Sequence, residues 1–299
     1  RLILAIVAAE DYELHQMDVE TAFLNAKVEE DLYMRVPEGV EAPPNTVCKL
    51  NKALYGIKQA PHAWHADIAN TLTLKLGYTS SPLDPCLFIK TSASGRKILF
   101  PLFVDDCFPA CHTQDLAEMQ QDKARLMEIY KIKDSGDATL LLGMRIQRDR
   151  AARTIHLDQQ VYIERLLADY GATNVKPANT PQSTELEFEA NSSEDNESQS
   201  NSTEANASSQ GDRSSFATIV GSLQYAAQST RPDISFAVNT LARGLVSPTQ
   251  AHRDGAWRVL RYLAGTSSLG ITFGGSLTNR PLLAWSDANW AGRNGENDG

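Results

Sequence analysis

Two apolar runs with strand character, "KILFPLFV" (97–104) and "CFPAC" (107–111), are separated only by Asp105 and Asp106. Aspartate is depleted in strands, and two adjacent carboxylates repel each other. A hairpin tip tolerates such a pair, and in most chains it is ordinary turn chemistry there. A third carboxylate, Asp18, ends "ELHQMDV" (13–19), whose alternation reads as another strand. If these strands pair side by side, three carboxylates meet at one end of a sheet. Close carboxylates raise one another's pKa unless a cation holds them, and hard divalent cations take oxygen ligands. Two Mg²⁺ ions ~4 Å apart clamp the attacking and leaving oxygens of an in-line phosphoryl displacement. Mn²⁺ would serve the same geometry.

The chain has 299 residues, which favours more than one unit, and an apolar fraction of 42% suffices for a real core. No apolar run approaches the ~20 residues a bilayer span needs, so no membrane partner is expected. The start, "RLILAIVAAEDYELHQ", lacks a basic leader and reads as a core segment of an internal piece. The net charge of −9 is not spread evenly. Residues 183–212 hold eight acids and no Lys or Arg, and removing those eight charges leaves −1 for the rest. This stretch is expected to be a disordered acidic linker. Cys48, Cys86, Cys107 and Cys111 lack metal-type spacing and read as reduced thiols.

Periodicity predicts helices within 54–78 (through Trp64, Ile68, Leu72 and Leu76), over 113–130 with Thr113 as cap, and over 158–170. "ETAFLNAKVEEDLYM" reads as a short helix and then a strand. "CLFIK", "KILFPLFV" and "TLLLGMRIQ" read as strands. Three more helices are expected near 214–228, 233–246 and 249–264, and "GITFGG" and "LLAWSDANWAG" as opening strands of another domain.

Several blocks stand in a fixed order: "LHQMDVETAFLNAKVEEDLYMRVPEG", "CKLNKALYGIKQAPHAWH", "FVDD", "LLGMRI", "VGSLQYAAQSTRPDISFAVN", "AHRDGAWRVLRYLAGT" and "SDANWAG". In these blocks the chain resembles the reverse transcriptase (RNA-directed DNA polymerase) of copia-type LTR retrotransposons. The resemblance implies an α+β fold. A right-hand polymerase palm, an antiparallel sheet with helices, would be followed by a helical thumb and connection region and a truncated ribonuclease H start. It divides the chain into a palm (1–153, fingers incomplete), a thumb-like segment (154–182), the linker (183–212), a connection region (213–280) and a ribonuclease H-like start (281–299). "FVDD" corresponds to the family's metal-binding box.

By the same resemblance Asp18 and Asp105 are the main ligands of two Mg²⁺ ions, with the Val19 carbonyl reaching a metal and Asp106 supporting the site. Phe23 would lie beneath the sugar and exclude a 2′-hydroxyl. Tyr55, Gly56, Lys58 and Gln59 would meet the nucleotide and template, and Leu142, Gly143 and Met144 would grip the primer end. Lys131, Lys133, Arg145, Arg148, Arg150 and Arg153 are candidates to follow the duplex backbone. Asp287 would be the first ligand of the ribonuclease H-like part. Implied partners are an RNA template, a DNA primer, deoxynucleoside triphosphates and other parts of a retroelement polyprotein. The implied setting is intracellular, a cytoplasmic particle or the nucleus.

The chain departs from the family at Phe103, which replaces Tyr, and at Pro101 and Pro109, which are expected to distort the hairpin. Basic fingers residues are expected upstream of Arg1, so residues 1–299 alone are expected to synthesise little DNA. Two other readings compete: a retroelement product that keeps the fold without activity, and a palm-like nucleotidyl cyclase or other Mg²⁺ phosphoryl-transfer enzyme.

Overall fold

The computed structural model describes residues 1–183 and 203–274. Residues 184–202 of the acidic stretch, and 281–299 with Asp287, lie outside the described residues.

The chain starts with α1 (Leu2–Ala9), β1 (Glu13–Val19) and a 3₁₀ turn (Ala22–Asn25) where a helix was expected, then β2 (Tyr33–Arg35) and β3 (Val47–Lys49). Next comes α2 (Ala60–Asn70), with Pro61 in its first turn, where a missing N–H costs nothing. It widens into a π turn over Thr71–Lys75. Then follow β4 (Thr79–Ser80), β5 (Leu87–Thr91), β6 (Lys97–Phe103), β7 (Asp106–Cys107), β8 (Ala110–Cys111), α3 (Leu116–Ile129) and β9 (Ile132–Asp137). The rest comprises β10 (Leu140–Leu141), β11 (Met144–Asp149), β12 (Thr154–Asp158), α4 (Gln160–Asp169), α5 (Thr203–Ser229), α6 (Ser235–Ala242), α7 (Gln250–Ala264) and β13 (Gly270–Gly274).

The first sheet runs β4, β5, β6, then β7 and β8 end to end, then β1 and β9, with every pair antiparallel. Pro109 falls in the gap between β7 and β8, yet the register is the same on both sides of it. Met17 faces Cys107 and Leu14 faces Ala110, while Leu102 faces Cys107 and Leu99 faces Ala110. The prolines keep their carbonyls in the ladder, Pro109 accepting from the His15 N–H at 2.9 Å and Pro101 from the Phe108 N–H at 3.0 Å. They thin the ladder without shifting it, so the expected distortion does not occur.

The pleat of β1 sends alternate residues to opposite faces. Met17 and Val19 enter a core with Trp64, Ile68, Phe100, Met119 and Leu126, under α2 and α3. Leu14 lies on the other face with Leu99, Phe108 and Ala110, covered by α1, β11 and β12 through Leu4, Val7, Ile146 and Ile155. That cover reaches only one end of the face. Gln16 and Asp18 continue the row of Leu14 and are half-buried.

The second sheet is β10–β11–β12–β13. It corrects three expectations. "TLLLGMRIQ" is a hairpin rather than one strand, because Leu142 and Gly143 both take positive φ (49° and 81°) between β10 and β11. The boundary at residue 153 cuts the β11–β12 hairpin. "GITFGG" does not open another domain: β13 is laid against β12 with Phe273 opposite Ile155. The linker is also shorter at its C-terminal side than expected, since residues 203–212 belong to α5.

The helices α4 to α7 enclose their own core around Ile163, Leu167, Val220, Leu223, Leu241 and Val259. Inside it Arg231 is fully buried, its guanidinium forked onto Asp233 (3.0 and 2.7 Å) and donating to the Thr266 carbonyl (2.8 Å). Among the described residues no helix is long and apolar enough to cross a membrane.

A second buried charge ties α3 to the first sheet. Lys123, 3% exposed, donates to His15 Nδ1 (2.8 Å) and Asp134 Oδ2 (2.7 Å). An ammonium only donates, so Nδ1 is the bare nitrogen and the proton sits on Nε2, 3.6 Å from Asp137. Burial first, and Lys123 second, hold the His15 pKa below its ordinary 6.5, against the pull of Asp137, Asp134 and Glu13. The folded protein thus resists a proton that the unfolded chain accepts near pH 6.5. This stabilisation is present above that pH and lost as pH falls below it. The urea midpoint should fall between about pH 7.5 and 5.5, and His15→Gln should flatten that slope, with His252, also held low, supplying a remainder. An unchanged slope in the variant would refute the assignment.

Candidate active site

The hairpin joining β6 to β7 turns in two residues, Val104 and Asp105, with Phe103 opposite Asp106. Val104 takes φ +55°, as the first central residue of a type II′ turn requires. For a β-branched residue this conformation is strained, by roughly 1–3 kcal/mol. Across the ladder Asp18 lies directly opposite Asp106, and the Val19 N–H donates to the Asp105 carbonyl at 2.9 Å. The three aspartates therefore occupy neighbouring backbone positions at the uncovered end of the sheet face. Thr21, three residues beyond Asp18, is a second β-branched residue in left-handed backbone (φ +50°). On the far side of Asp18, Lys133 of β9 is its ladder partner.

Burial first, then the charges of Asp105 and Asp18, raise the Asp106 pKa above the usual carboxylate value, a hydrogen bond from Gln16 opposing them. Repulsion of this kind is what a bound cation relieves. The donors are all hard oxygens, the chemistry Mg²⁺ and Mn²⁺ require. Among the described residues no three His, Cys, Asp or Glu side chains stand close enough to hold a metal as they are placed. The fit is therefore one of donor chemistry and backbone position.

Phe23 lies in the 3₁₀ turn after Asp18, half-buried against the α2 core, and its ring packs on Tyr55 (centroids 4.6 Å apart, 52° between planes). The structure thus brings Phe23 to the "LYGIKQAP" loop. Tyr55 and Lys58 are exposed, Gln59 precedes α2, and Gly56 turns the loop at φ +93°. Leu142, Gly143 and Met144 lie in the second sheet, not the sheet of the aspartates. Their two-residue turn needs positive φ at both positions, which Gly143 supplies without strain. Of the basic residues considered for duplex contact, Lys131 pairs with Glu20, Arg145 with Asp158, and Arg148 and Arg150 with Asp11, so these four are engaged within the chain.

Two residues at the site escape the sequence reading. Trp64 reads as one more apolar position on the α2 stripe, but its indole N–H donates to the Val104 carbonyl at 2.6 Å. Tyr225 of α5 donates to the Leu142 carbonyl at 3.3 Å, joining the helical half to the β10–β11 turn. Both are contacts between segments far apart in the chain, which periodicity does not register.

Residues 1–184 match the family Reverse transcriptase (RNA-dependent DNA polymerase). The chain belongs to this family. It is 37% identical over 98% of its length to the Retrovirus-related Pol polyprotein from transposon TNT 1-94 of Nicotiana tabacum. It is 36% identical to that from transposon RE1 and 35% to that from transposon RE2, both of Arabidopsis thaliana, again over 98% of its length. The chain covers 21%, 19% and 19% of these polyproteins, about a fifth of their length. Setting three acids at neighbouring backbone positions carries an electrostatic cost, seen in the raised pKa of Asp106.

That cost is measurable. Asp105→Asn removes one charge beside Asp106 and keeps the turn shape. In EDTA it should raise stability by about 0.5–1 kcal/mol in urea denaturation. A destabilised variant would show that the carboxylates do not repel one another as placed.

Proposed function

We propose that this chain is the RNA-directed DNA polymerase module of a retrotransposon Pol polyprotein, extending a DNA primer on an RNA template with deoxynucleoside triphosphates. The observation that supports it most is the register setting Asp18 opposite Asp106 with Asp105 at the turn, in a chain of the reverse transcriptase family. Asp18 and Asp105, with the Val19 carbonyl, would hold two Mg²⁺ ions, and Asp106 would support them. Bound metal supplies charge neutralisation at the α-phosphate and activation of the primer 3′-hydroxyl. The chain's own contribution would be placement: the ladder sets the backbone positions of the three aspartates before substrate arrives, and their side chains would turn onto the metals. Phe23, steadied by Tyr55, would press on the sugar and reject a 2′-hydroxyl. Tyr55, Gly56, Lys58 and Gln59 would line the nucleotide and template path, and Leu142, Gly143 and Met144 would steady the primer end. The remainder of the polyprotein would supply further contacts.

The test is primer extension on an RNA template with Mg²⁺ or Mn²⁺, by the chain alone and by the chain within a longer Pol polyprotein like those of its relatives. Asp18→Asn and Asp105→Asn should each reduce synthesis by on the order of 10²–10³-fold. Phe23→Ala should leave synthesis measurable and raise ribonucleotide incorporation by at least roughly tenfold. Equal synthesis by the aspartate variants, or none in either form of the protein, would reject the proposal, the second outcome favouring an inactive retroelement product.

A further inference from the structure

We propose that Trp64 is a positioning residue for the aspartate turn: its indole N–H holds the Val104 carbonyl and thereby fixes the direction in which Asp105 leaves the hairpin. The proposal rests on the polymerase reading above. Val104 occupies left-handed backbone (φ +55°) that a β-branched residue avoids, so the turn needs a restraint beyond its own ladder. Trp64 Nε1 lies 2.6 Å from the Val104 oxygen, and an indole can only donate. The Val104 carbonyl belongs to the peptide plane that ends at the Asp105 nitrogen. The Asp105 carbonyl is held on the other side, by the Val19 N–H at 2.9 Å. Asp105 is therefore gripped through both of its peptide planes, one by α2 and one by β1.

The clamp is itself rigid. Trp64 is 1% exposed, and the ring of Tyr130, just after α3, meets it edge-on (centroids 5.3 Å, 81°). The Tyr130 hydroxyl donates to Asp67 Oδ2 (2.7 Å) and lies 2.8 Å from Thr71 Oγ1. Both partners lie C-terminal to Trp64, on α2 and in the π turn after it. The indole thus cannot swing away without disturbing two helices.

The experiment compares the full chain with Trp64→Phe, Val104→Gly, the double variant and Asp105→Asn. It reads Mn²⁺ binding by electron paramagnetic resonance and amide hydrogen exchange of the turn relative to that of β5. Trp64→Phe keeps an aromatic ring but loses the donor and some buried volume, and the β5 exchange reports any general loosening of the core. It should weaken the Asp105-dependent Mn²⁺ binding roughly tenfold and speed turn exchange by a similar factor, with β5 exchange unchanged. Glycine takes positive φ freely, so Val104→Gly added to Trp64→Phe should recover much of the lost Mn²⁺ affinity. Wild-type binding and exchange in Trp64→Phe would overturn the proposal, as would equal acceleration in β5. If Asp105→Asn leaves Mn²⁺ binding unchanged, the two-metal reading fails and the exchange comparison alone decides whether Trp64 holds the turn. Val104→Gly alone, binding Mn²⁺ like wild type, would confirm that glycine at this position is tolerated and that the rescue is specific.

Discussion

The antiparallel register between β1 and the β7–β8 line carries everything else. It is one register, unbroken across Pro109, and it sets Asp18 opposite Asp106. In a strand a slip of one residue exchanges the two faces. Here it would push Asp18 into the core under α2 and α3 and turn Met17 out. Both faces of β1 oppose that slip, because Met17 and Val19 are buried on one and Leu14 on the other. The apolar pattern thus fixes the position of the acids without the acids contributing to it.

Buried charges add specificity to this packing. Lys123 joins α3 to His15 and Asp134, on either side of the bulge where β9 shifts against β1. Lys90 of β5 reaches Asp122 and Glu118 of α3 at 2.8 and 2.9 Å, and the Tyr78 hydroxyl donates to Asp122 at 3.0 Å. Pairs of this kind contribute little net stability, but breaking one leaves an uncompensated charge and costs about 3–5 kcal/mol. They admit one seating of α3 on the sheet. That seating also places Tyr130, and through it Trp64, beneath the aspartate turn. Strain at Val104 and Thr21 is concentrated next to the acids, where a rigid surround can hold it.

Where the pattern is local, the sequence shows it. β1, β5, β6, α2, α3, α4, α6 and α7 stand close to their expected places, because their apolar periods match the faces they bury. The strand β9, "IKDSGD", is hidden, since Asp, Ser and Gly are poor strand formers and only the ladder with β1 makes it extended. The split of "TLLLGMRIQ" depends on backbone signs at Leu142 and Gly143. Gly143 signals the turn, but not that the turn separates two paired strands. β13 is legible as a strand, but its partner lies more than a hundred residues earlier, and no local signal names it. The start of α3 differs too: a 3₁₀ turn (Thr113–Asp115) precedes it, and His112 Nδ1 caps that turn by accepting from the Gln114 N–H. Thr113 donates to Glu13, and Asp115 leads into α3 without a side-chain cap bond. At the candidate site, the three acids and Phe23 stand out by residue type and order. Trp64 does not, because a tryptophan on an apolar stripe looks the same whether or not its N–H is in use.

The most direct test of the account is where a divalent cation sits. A crystal of the chain grown or soaked with Mn²⁺, and examined by anomalous scattering, should show density bounded by the carboxylates of Asp18 and Asp105, at the uncovered end of the first sheet. Oxygen ligands should then lie within roughly 2.0–2.6 Å of it. Density elsewhere, or carboxylates of Asp18 and Asp105 more than roughly 10 Å apart with metal present, would contradict a shared two-metal site.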